Sequence, residues 1–410
     1  MTVYLKSEFL QTMQARGFIH QASHLEALDS KLCEGVQSAY IGFDATAQSL
    51  HVGNLINIMM LKWFQETGHK PITLMGGGTS KIGDPSFKDE QRNLLDDDTI
   101  EENMRHIRAT CFDQFLNYGD GQTDAKMVNN NDWLSELSYL DFLRDYGRYF
   151  SVNRMIGFDS VKQRLDRESF LSLLEFNYMV MQGYDFVELH RREGTVLQMG
   201  GSDQWGNIIN GVDLGHKSHR MQLFAMTTPL LTTPDGKKMG KTENGAVWLN
   251  ADMLSPYDYY QFWRNVDDAQ VREMLCKFTM MPMDDVDKLS ALQGQEINEA
   301  KKILAFEATK LCHGEKSATA SAETARQTFE QGQSAAGLPT IEVTQNPMGI
   351  LDLLIAAKLV TSKGDARRLI AGGGARIDDV VVNDDKMMVD INDTMKLSAG
   401  KKKHILVNVI

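Results

Sequence analysis

The chain has 410 residues, 42% of them hydrophobic, with a net charge of −12 and four scattered cysteines. This length and composition suit a globular protein of two or three domains, and they argue against a disulfide-rich scaffold, a zinc-ribbon protein and a general nucleic-acid coat. The sequence contains no run near the roughly 20 apolar residues that cross a bilayer, and its N-terminus lacks the apolar core of a signal peptide, so we expect a cytoplasmic protein.

Strand and helix patterns alternate through the first 250 residues. "AYIGFD" and "KPITLMGG" predict strands, and the helical patterns "NLINIMMLKWFQETG" and "DDDTIEENMRHI" follow them in turn. In the second helix, Thr99 and Glu102 have the spacing of a capping box. Three later apolar runs, "AKMVNN", "TVLQMGG" and "MQLFAM", predict further strands. Strands that alternate with helices favour a largely parallel sheet, whose ligands lie beyond the carboxyl ends of its strands.

The rest of the chain predicts two further domains. Residues 251 to about 330 carry helical patterns, and we interpret the polar, small-residue-rich stretch after them as a linker through about Gln345. The tail begins with two short helices, the second ended by "GGG", and continues with alternating strands. From Pro347 it holds ten Lys and Arg against eight Asp and Glu, a local charge of +2. We therefore expect domains over 1-250, with an insertion around 115-195, over 251-335 and over 346-410.

A lysine- and glycine-rich segment, "TTPDGKKMGKTENG", follows the last strand pattern of the first domain. A P-loop has four residues between its first glycine and the Gly-Lys-Thr, whereas only three separate Gly236 from Gly240, and Asp235 stands where that glycine should be. The segment also continues into a loop-like stretch and not into a helix. It is therefore either a solvated lysine turn or a phosphate-binding loop of another kind.

The stretch "DATAQSLHVGNL" joins the first strand pattern to its helix. His51 and Gly53 stand at the start of this helix, where free N–H groups and the helix dipole attract anions and where glycine lets a ligand approach the backbone. A single histidine at a helix start is more often a cap or a surface residue than a catalyst. Its position directly after the first strand of the sheet favours a phosphate site.

Three polar residues share one stripe of an otherwise apolar helix, "ESFLSLLEFNYMVMQGYDFVELH". Tyr178, Gln182 and Asp185 are spaced i, i+4 and i+7, which places them on the same face. Buried polar groups need hydrogen-bond partners. A bound polar ligand would provide them, and an internal hydrogen-bond network would do so equally well.

The motifs "HVGN" and "KMGKT" resemble the two signatures of class I aminoacyl-tRNA synthetases, usually written HIGH and KMSKS. Four longer stretches, "YIGFDATAQSLHVGNL", "IGDPSFKDEQR", "YMVMQGYDF" and "GGSDQWGNI", narrow the resemblance to tyrosyl-tRNA synthetases of the bacterial and organellar type. The resemblance spans essentially the whole chain, and the tail is similar to an S4 RNA-binding domain. It implies a Rossmann-like α/β catalytic domain, an α-helical domain for the anticodon end of tRNA, and a small α+β S4-like domain.

Two residues depart from the family motifs. Asn54 occupies the last position of the first motif, where the family has histidine, and Gly240 replaces the serine of the second. Because asparagine still donates a hydrogen bond to a phosphate or ribose oxygen, we expect tuned and not lost activity.

The resemblance implies a reaction and its partners. L-tyrosine reacts with ATP, which carries bound Mg²⁺, to give tyrosyl-adenylate and pyrophosphate, and the tyrosyl group then passes to the 3'-terminal adenosine of tRNA(Tyr). The carboxylate nucleophile is already ionised, so catalysis is electrostatic stabilisation of the departing pyrophosphate, without a protein acid or base. The resemblance implies neither a tightly bound metal site in the protein nor a membrane partner, and it implies a homodimer.

The family's functional positions carry over to individual residues of this chain. The phenol would contact Tyr40 and Asp185, and the remaining tyrosine contacts would be Asp84, Tyr178, Gln182 and Gln198. ATP and the adenylate would contact Gly42, Asp44, Gly53, Gly201, Asp203, Gln204 and Lys241. The catalytic set would be His51, Asn54, Lys88, Arg92, Lys238, Lys241 and Thr242. The tRNA would contact Lys363, Arg367 and Arg368. Alone, Asp84 is also typical of a turn, and each basic group is also typical of a solvated surface.

Three other functions compete with this one. A non-catalytic RNA-binding protein on the same fold would not need His51, Lys238 and Lys241. A tryptophan-specific relative would bind an indole, which only donates, whereas Tyr40 and Asp185 together suit a phenol better. A small-metabolite adenylating enzyme would not need the S4-like tail.

Overall fold

The computed structural model describes residues 4–83, 95–232, 239–242, 245–330, 338–392, 394–400 and 403–409. The chain packs as two compact units. The first is drawn from residues 1–241, 246–253 and 267–300, and the second from residues 242–245, 254–266 and 301–410. In the described parts of the chain, no helix is both long and apolar enough to cross a membrane.

A six-stranded sheet forms the centre of the first unit, with the strand order β1-β6-β5-β2-β3-β4. Strands β2 to β6 are parallel, and the short β1 pairs antiparallel with β6. The order reverses between β2 and β5, and such a switch point is where open α/β sheets bind ligands. The strands are β1 (Gln21–Ala22), β2 (Ser38–Phe43), β3 (Lys70–Met75), β4 (Lys126–Asn129), β5 (Thr195–Gly201) and β6 (Phe224–Thr228). The predicted α/β class and its five parallel strands are confirmed.

Helices follow the strands of this sheet, as the sequence patterns predict. The helix after β2 buries an apolar stripe that includes Leu55, Ile58 and Met59, and every residue of β5 is buried. The helices up to the end of the sheet are α1 (Glu8–Ala15), α2 (Leu25–Leu32), α3 (Val52–Glu66), α4 (Asp97–Ile107), α5 (Asn131–Leu134), α6 (Tyr139–Asp145), α7 (Val152–Met155), α8 (Asp159–Asp166), α9 (Leu173–Glu193) and α10 (Trp205–His219).

Local caps fix where two of these helices begin. Helix α9 starts with a capping box between Ser172 and Glu175 and ends at Gly194, which has the left-handed φ of 67°. The predicted capping box of Thr99 and Glu102 is wrong. Helix α4 is capped by Asp96, whose carboxylate accepts the Thr99 amide N–H, so Thr99 lies inside the first turn. Aspartate and threonine are both good caps, and the earlier of the two takes the role.

A buried arginine attaches residues 267–300 to the sheet unit. The Arg16 guanidinium is 5% exposed, donates to the carbonyls of Cys276 (3.0 Å) and Thr279 (3.3 Å), and stacks on the Trp63 ring at 4.1 Å. Helices in this part of the chain are α11 (Pro256–Arg264), which belongs to the second unit, α12 (Val271–Phe278) and α13 (Met283–Ser290). The predicted domain limits at residues 250 and 335 stay predictions.

The second unit contains the remaining long helix and the tail. Helix α14 (Ile297–Glu330) bends at Gly314, where φ is 81°. The tail forms a five-stranded sheet of order β12-β11-β14-β15-β9, covered by α15 (Ile350–Ala356) and α16 (Lys363–Ala371). The short strands between the units and those of the tail are β7 (Lys241–Thr242), β8 (Gly245–Ala246), β9 (Thr340–Val343), β10 (Met348–Gly349), β11 (Ala375–Ile377), β12 (Val380–Val381), β13 (Met388–Val389), β14 (Met395–Ala399) and β15 (Lys403–Val409).

The predicted linker is too long. Residues 331–337 lie outside the described part of the chain, but Thr340–Val343 form β9, which pairs in parallel with β15. This strand alternates polar and apolar residues over only four positions, and only its last residue is buried, so the alternation is too short to stand out from the polar stretch before it. The prediction that the second tail helix ends at the "GGG" is confirmed, since Gly372 is the C-cap of α16.

Candidate active site

A cavity of about 640 Å³ opens at the carboxyl ends of β2 and β5, at the switch point of the sheet. Tyr40 on β2 and Gln198 on β5 are register partners, so these two predicted side chains start from neighbouring positions. Every predicted ligand residue whose side chain lies in the described part of the first unit lines this cavity. They are Tyr40, Gly42, Asp44, His51, Gly53, Asn54, Tyr178, Gln182, Asp185, Gln198, Gly201, Asp203 and Gln204.

The remaining predicted residues of the catalytic domain are not placed. Asp84, Lys88, Arg92 and Lys238 lie outside the described residues. The structure describes only the backbone of Lys241 and Thr242, which form β7. The roles of these six residues stay predictions.

Asp185 is a buried carboxylate of the cavity whose two oxygens are both hydrogen-bonded. It is 1% exposed, and each carboxylate oxygen accepts one hydrogen bond from a buried side chain. Trp133 donates from Nε1 to Oδ1 at 2.7 Å, and Asn130 donates from Nδ2 to Oδ2 at 3.0 Å. Each oxygen of Asp185 uses one lone pair for these bonds and keeps the other, which can accept a hydrogen bond from a ligand in the cavity.

The network continues from Asn130 to a second carboxylate that lines the cavity, that of Asp44. Asn130 also donates to the Thr79 hydroxyl at 3.1 Å, and Thr79 donates to Asp44 Oδ1 at 3.1 Å. The Tyr178 hydroxyl donates to the same Asp44 carboxylate at 3.3 Å. The carboxylates of Asp185 and Asp44 are therefore connected through Asn130 and Thr79 by one chain of hydrogen bonds.

Burial shifts the pKa values of Asp185 and Tyr40. Loss of solvation raises the pKa of Asp185 to about 7, and the hydrogen bonds from Asn130 and Trp133 oppose that rise. Burial also raises the pKa of the Tyr40 phenol well above its ordinary value, and the nearby Asp185 carboxyl adds to the rise. Tyr40 consequently keeps its proton at every pH at which Asp185 titrates.

Five buried polar atoms that line the cavity have no hydrogen-bond partner among the described residues. An unsatisfied buried polar atom costs roughly 1–3 kcal/mol, and native proteins contain few of them. Several such atoms around one cavity indicate a site built for a polar ligand. They are Tyr40 Oη, Asn57 Oδ1, Gln182 Oε1, Gln198 Oε1 and Thr228 Oγ1.

His51 caps helix α3, as predicted for a histidine at a helix start, and it also lines the cavity. Its Nδ1 accepts the Gly53 amide N–H at 3.0 Å, and the Asn54 Oδ1 accepts the His51 amide N–H at 3.3 Å. The reciprocal pair fixes the imidazole at the positive end of the α3 dipole. This leaves the Asn54 side-chain N–H groups for other acceptors.

The two signature motifs touch through their glycines. A Cβ on Gly240 would lie 2.8 Å from the Gly53 nitrogen, and a Cβ on Gly53 would lie 2.7 Å from the His51 ring and 3.0 Å from the Met239 carbonyl oxygen. Gly240 also has a φ of 106°, which disfavours other residues. Serine does not fit this backbone at position 240, which accounts physically for that departure from the family motif.

Comparison with known proteins identifies the family. Residues 34–330 match the family model described as tRNA synthetases class I (W and Y), and residues 329–407 match that of the tyrosine–tRNA ligase SYY-like C-terminal domain. The tyrosine–tRNA ligase of Mesorhizobium japonicum is 58% identical over 411 residues, with 98% of each chain covered. That of Zymomonas mobilis is 56% identical, with 97% of this chain and 98% of the relative covered. The chain belongs to the tyrosine–tRNA ligase family.

Solved structures agree with this assignment. A C-terminally truncated mitochondrial tyrosyl-tRNA synthetase from Aspergillus nidulans superimposes with a TM-score of 0.70 at 30% identity, covering 79% of this chain and 95% of that one. A tyrosyl-tRNA synthetase from Archaeoglobus fulgidus, solved with L-tyrosine, gives a TM-score of 0.55 at 16% identity, covering 77% and 100%, and shows the shared fold. The resemblance stated from the sequence motifs is confirmed.

The predicted tRNA contacts of this tyrosine–tRNA ligase lie on one exposed helix of the second unit. Lys363, Arg367 and Arg368 are on α16, with side chains 56%, 59% and 77% exposed. Each is paired with a carboxylate in the described structure. Lys363 pairs with Asp352 at 2.7 Å, Arg367 with Asp385 at 3.2 Å, and Arg368 with Asp365. Exposed pairs of this kind are worth at most about 1 kcal/mol, so a phosphate can displace them.

The sequence reasoning missed three residues that line the cavity and one, Trp133, that supports it. Asn130 and Trp133 hold Asp185, Thr79 links Asn130 to Asp44, and Asn57 presents an unpartnered acceptor. A signal existed for Asn130, since it follows β4 directly and polar residues after parallel strands face the ligand edge. Asn57 lies three residues after Asn54 on α3, on nearly the same helix face.

Proposed function

We propose that this tyrosine–tRNA ligase activates L-tyrosine with ATP to tyrosyl-adenylate and pyrophosphate in the described cavity. It then transfers the tyrosyl group to the 3'-terminal adenosine of tRNA(Tyr). The observation that carries the proposal is the meeting of Tyr40 and Asp185, both buried, with unpartnered polar atoms around a single cavity. Tyrosine, ATP and tRNA are the partners expected for the family.

The phenol of tyrosine would lie between Tyr40 and Asp185. The substrate hydroxyl donates to the Asp185 carboxylate, and the Tyr40 hydroxyl donates to the substrate oxygen, because Tyr40 keeps its proton. Phenylalanine would bury the same apolar surface and leave both groups without a partner. Such unpaired buried groups cost free energy, so the pair selects for the hydroxyl.

The ammonium and carboxylate of tyrosine would lie toward the opposite end of the cavity. Gln182 and Gln198 each have a buried side-chain oxygen without a partner among the described residues, and these atoms are suitable acceptors for an ammonium group. The Tyr178 hydroxyl, held against Asp44, is a further acceptor. Asp84, which lies outside the described residues, completes this set by family resemblance.

ATP would lie along the β2–α3 edge of the cavity and reach β5. Gly42, Gly53 and Gly201 leave room for close backbone approach, and Asp44, Asp203 and Gln204 supply polar side chains. The N-terminus of α3 would face the phosphates with the His51 ring and the Asn54 side-chain N–H groups, and the helix dipole favours negative charge there. Magnesium would enter bound to the nucleotide as part of the substrate.

The departing pyrophosphate would be stabilised by cationic side chains. Negative charge moves to the β and γ phosphates as the bond to the α phosphate breaks, and donors that meet this charge only in the transition state raise the rate. The Gly240 backbone lies against Gly53, so the lysine that follows it begins beside the α3 N-terminus. By family resemblance the cations are Lys88, Arg92, Lys238 and Lys241, with the Thr242 hydroxyl.

The remaining proposals concern tRNA binding, the oligomeric state and the cellular compartment. The S4-like tail and the helices after residue 250 would bind tRNA, with Lys363, Arg367 and Arg368 contacting its phosphates or bases. Two copies would form a homodimer, because helices α6 to α9 expose apolar side chains that a monomer leaves in water. The scattered cysteines favour a reducing compartment, and we infer the cytoplasm.

Amino-acid-dependent exchange of pyrophosphate into ATP tests the site assignment. With each of the twenty amino acids in turn, only tyrosine should support rapid exchange. Asp185→Ala should lower the preference for tyrosine over phenylalanine by about 10- to 100-fold, as expected for a lost hydrogen bond to a charged group.

Glu188→Gln is the matched control, because Glu188 is another buried carboxylate of α9 and does not line the cavity. It should keep the wild-type preference. Equal preferences in Asp185→Ala and the wild type would overturn the assignment of the phenol site.

A further inference from the structure

The loop between β2 and α3, residues 44–51, is held by buried side chains from other elements. The Ala45 amide N–H donates to Ser80 Oγ at 2.8 Å, and the Ala45 carbonyl accepts from Asn103 Nδ2 at 2.9 Å. Ser80 and Asn103 are 5% and 4% exposed. Both polar groups of Ala45 therefore have fixed partners away from solvent, and Ala45 follows Asp44 directly.

The other end of the loop is held by a cysteine. Cys111 is fully buried, and its Sγ accepts the Leu50 amide N–H at 3.4 Å and lies 3.6 Å from the Ser49 hydroxyl. Ser49 in turn donates to the Leu50 carbonyl at 2.9 Å and accepts the Asn250 amide N–H at 3.1 Å. The sulfur thus holds the Ser49–Leu50 peptide, and Leu50 is the residue directly before His51.

One helix supplies both Asn103 and Cys111, and a wide turn sets their alignment. Asn103 is on α4, and Cys111 is in the π-helical turn Arg108–Phe112 that continues it, where the Asp113 amide donates to the Arg108 carbonyl. Residues seven apart share a face of an α-helix, because about 3.6 residues make one turn. Because the π turn holds one extra residue, Asn103 and Cys111, which are eight residues apart, share a face in the same way.

We propose that Asn103 and Cys111 are positioning residues for ATP, which hold the loop so that Asp44 and His51 keep their places at the nucleotide. The inference rests on the proposed role of this loop in ATP binding. Neither side chain is among the cavity-lining residues, so both act through the backbone. A displacement of about 1 Å at a positioning group is enough to cost about 100-fold in rate.

Three variants test the proposal. Asn103→Leu removes the donor to Ala45, Cys111→Val removes the acceptor for Leu50 at similar volume, and Cys111→Ser keeps an acceptor oxygen. In exchange assays at saturating tyrosine, the first two should lower kcat/KM for ATP by about 10- to 100-fold, and Cys111→Ser should lose at most about threefold. The tyrosine dissociation constant should stay within about twofold in all three, which also shows that they are folded.

Cys276→Val is the matched control, because Cys276 is a buried cysteine of α12 far from the loop in sequence. It should leave kcat/KM for ATP at the wild-type value. Equal losses in Cys276→Val and Cys111→Val would overturn the proposal, as would unchanged ATP kinetics in both Asn103→Leu and Cys111→Val. If Asn103→Leu fails to fold, the contrast between the two Cys111 variants decides.

His51→Ala separates this proposal from the proposed function. Unchanged ATP kinetics in His51→Ala would refute the ATP role of the loop itself. A loss in His51→Ala without one in Asn103→Leu or Cys111→Val would refute only the positioning role.

Discussion

At the scale of single residues, the proposed recognition of tyrosine depends on the charge of Asp185. Its two oxygens already accept hydrogen bonds from Trp133 and Asn130, so a bound phenol must use the remaining lone pairs. If Asp185 were protonated, its O–H would replace one of these acceptor positions. That donor would compete with the hydroxyl of the bound phenol. Burial raises the pKa of Asp185 to about 7, which puts this change within the range of ordinary assays.

Tyrosine binding should therefore strengthen as the pH rises through about 7. Below that midpoint the dissociation constant for tyrosine should fall about tenfold for each unit by which the pH rises. Above the midpoint the constant should level off. Tyr40 does not contribute, because its pKa is well above its ordinary value. Tryptophan fluorescence is a direct measurement, since Trp133 contacts Asp185.

Asp185→Asn is the control for this pH dependence, and its dissociation constant for tyrosine should not vary with pH over the same range.

The raised pKa of Asp185 also predicts how the stability of the folded protein depends on pH. The pKa of Asp185 in the folded protein lies above the ordinary 3.8. The contribution of this carboxyl to the stability of the folded state is therefore complete below pH 3.8 and is lost as the pH rises through about 7. Without ligand, the melting temperature of the wild type relative to that of Asp185→Asn should therefore fall as the pH rises from about 6 to about 8. A wild-type dissociation constant that does not vary with pH would contradict this account.

The sequence revealed Asp185 and not the residues that hold it. Helical spacing alone places Tyr178, Gln182 and Asp185 on one face, because that relation is local. Asn130 and Trp133 are more than 50 residues from Asp185 and reach it only through the order of the strands. No pattern within a single element encodes that order.

At the scale of elements, the N-terminus of α3 and the segment before β7 depend on each other. Their backbones approach so closely that a Cβ on Gly240 would lie 2.8 Å from the Gly53 nitrogen. The contact joins the two signature motifs, which are almost 190 residues apart in the sequence. Any side chain at position 240 would push the segment that carries Lys241 away from His51.

Gly240→Ala should lower kcat/KM for ATP at least about tenfold, because it combines backbone strain of about 1–3 kcal/mol with overlap at Gly53. Gly245→Ala is a matched control. Gly245 has a similar φ of 108°, but a Cβ there would meet no atom within 4 Å, so this variant carries the strain alone. Steady-state exchange kinetics compare the two, and equal losses would show that the contact with Gly53 has no role.

Helix ends show where local sequence rules succeed and where they compete. His51 was predicted at the start of α3 and the "GGG" at the end of α16, and both are confirmed. At α4, two capping residues stand three apart, and Asp96 takes the role predicted for Thr99. The rules identify candidates at a helix start, and the path of the preceding chain selects among them.

At the scale of the whole molecule, helices α6 to α9 form a surface that a monomer leaves incompletely covered. Nine of the sixteen exposed large hydrophobic residues in the described structure fall between residues 139 and 174, and α6 has no buried residue. These helices pack together around a small core of Met155, Val161, Met179 and Val180. Between residues 139 and 174, the most exposed apolar side chains are those of Leu140, Phe170 and Leu173.

Sedimentation or light scattering should give a mass of twice 46.1 kDa. Leu140→Asp and Leu173→Asp, at 75% and 70% exposed positions, should shift the protein toward the monomer, because a charge at an apolar interface is left without a partner. Val380→Asp is the control, since Val380 is 71% exposed in the tail. A monomeric wild type would refute the dimer, and dissociation by Val380→Asp would refute the location of the interface.

The packing of residues 267–300 with the sheet is not visible in the sequence. The change from strands to helices near residue 250 predicts a domain limit there, which stays a prediction. Arg16 contributes to the attachment of residues 267–300 by donating to carbonyls about 260 residues away. A single arginine in an N-terminal helix carries no sequence signal for such a role.

The cap made by His51 also fixes which of its nitrogens carries hydrogen. Since Nδ1 accepts from the Gly53 amide, the neutral imidazole exists as the tautomer protonated at Nε2. This nitrogen is a donor whether or not the ring gains a second proton. His51 can thus offer a hydrogen bond while uncharged, and its contribution persists in alkaline solution, where an imidazolium would have disappeared.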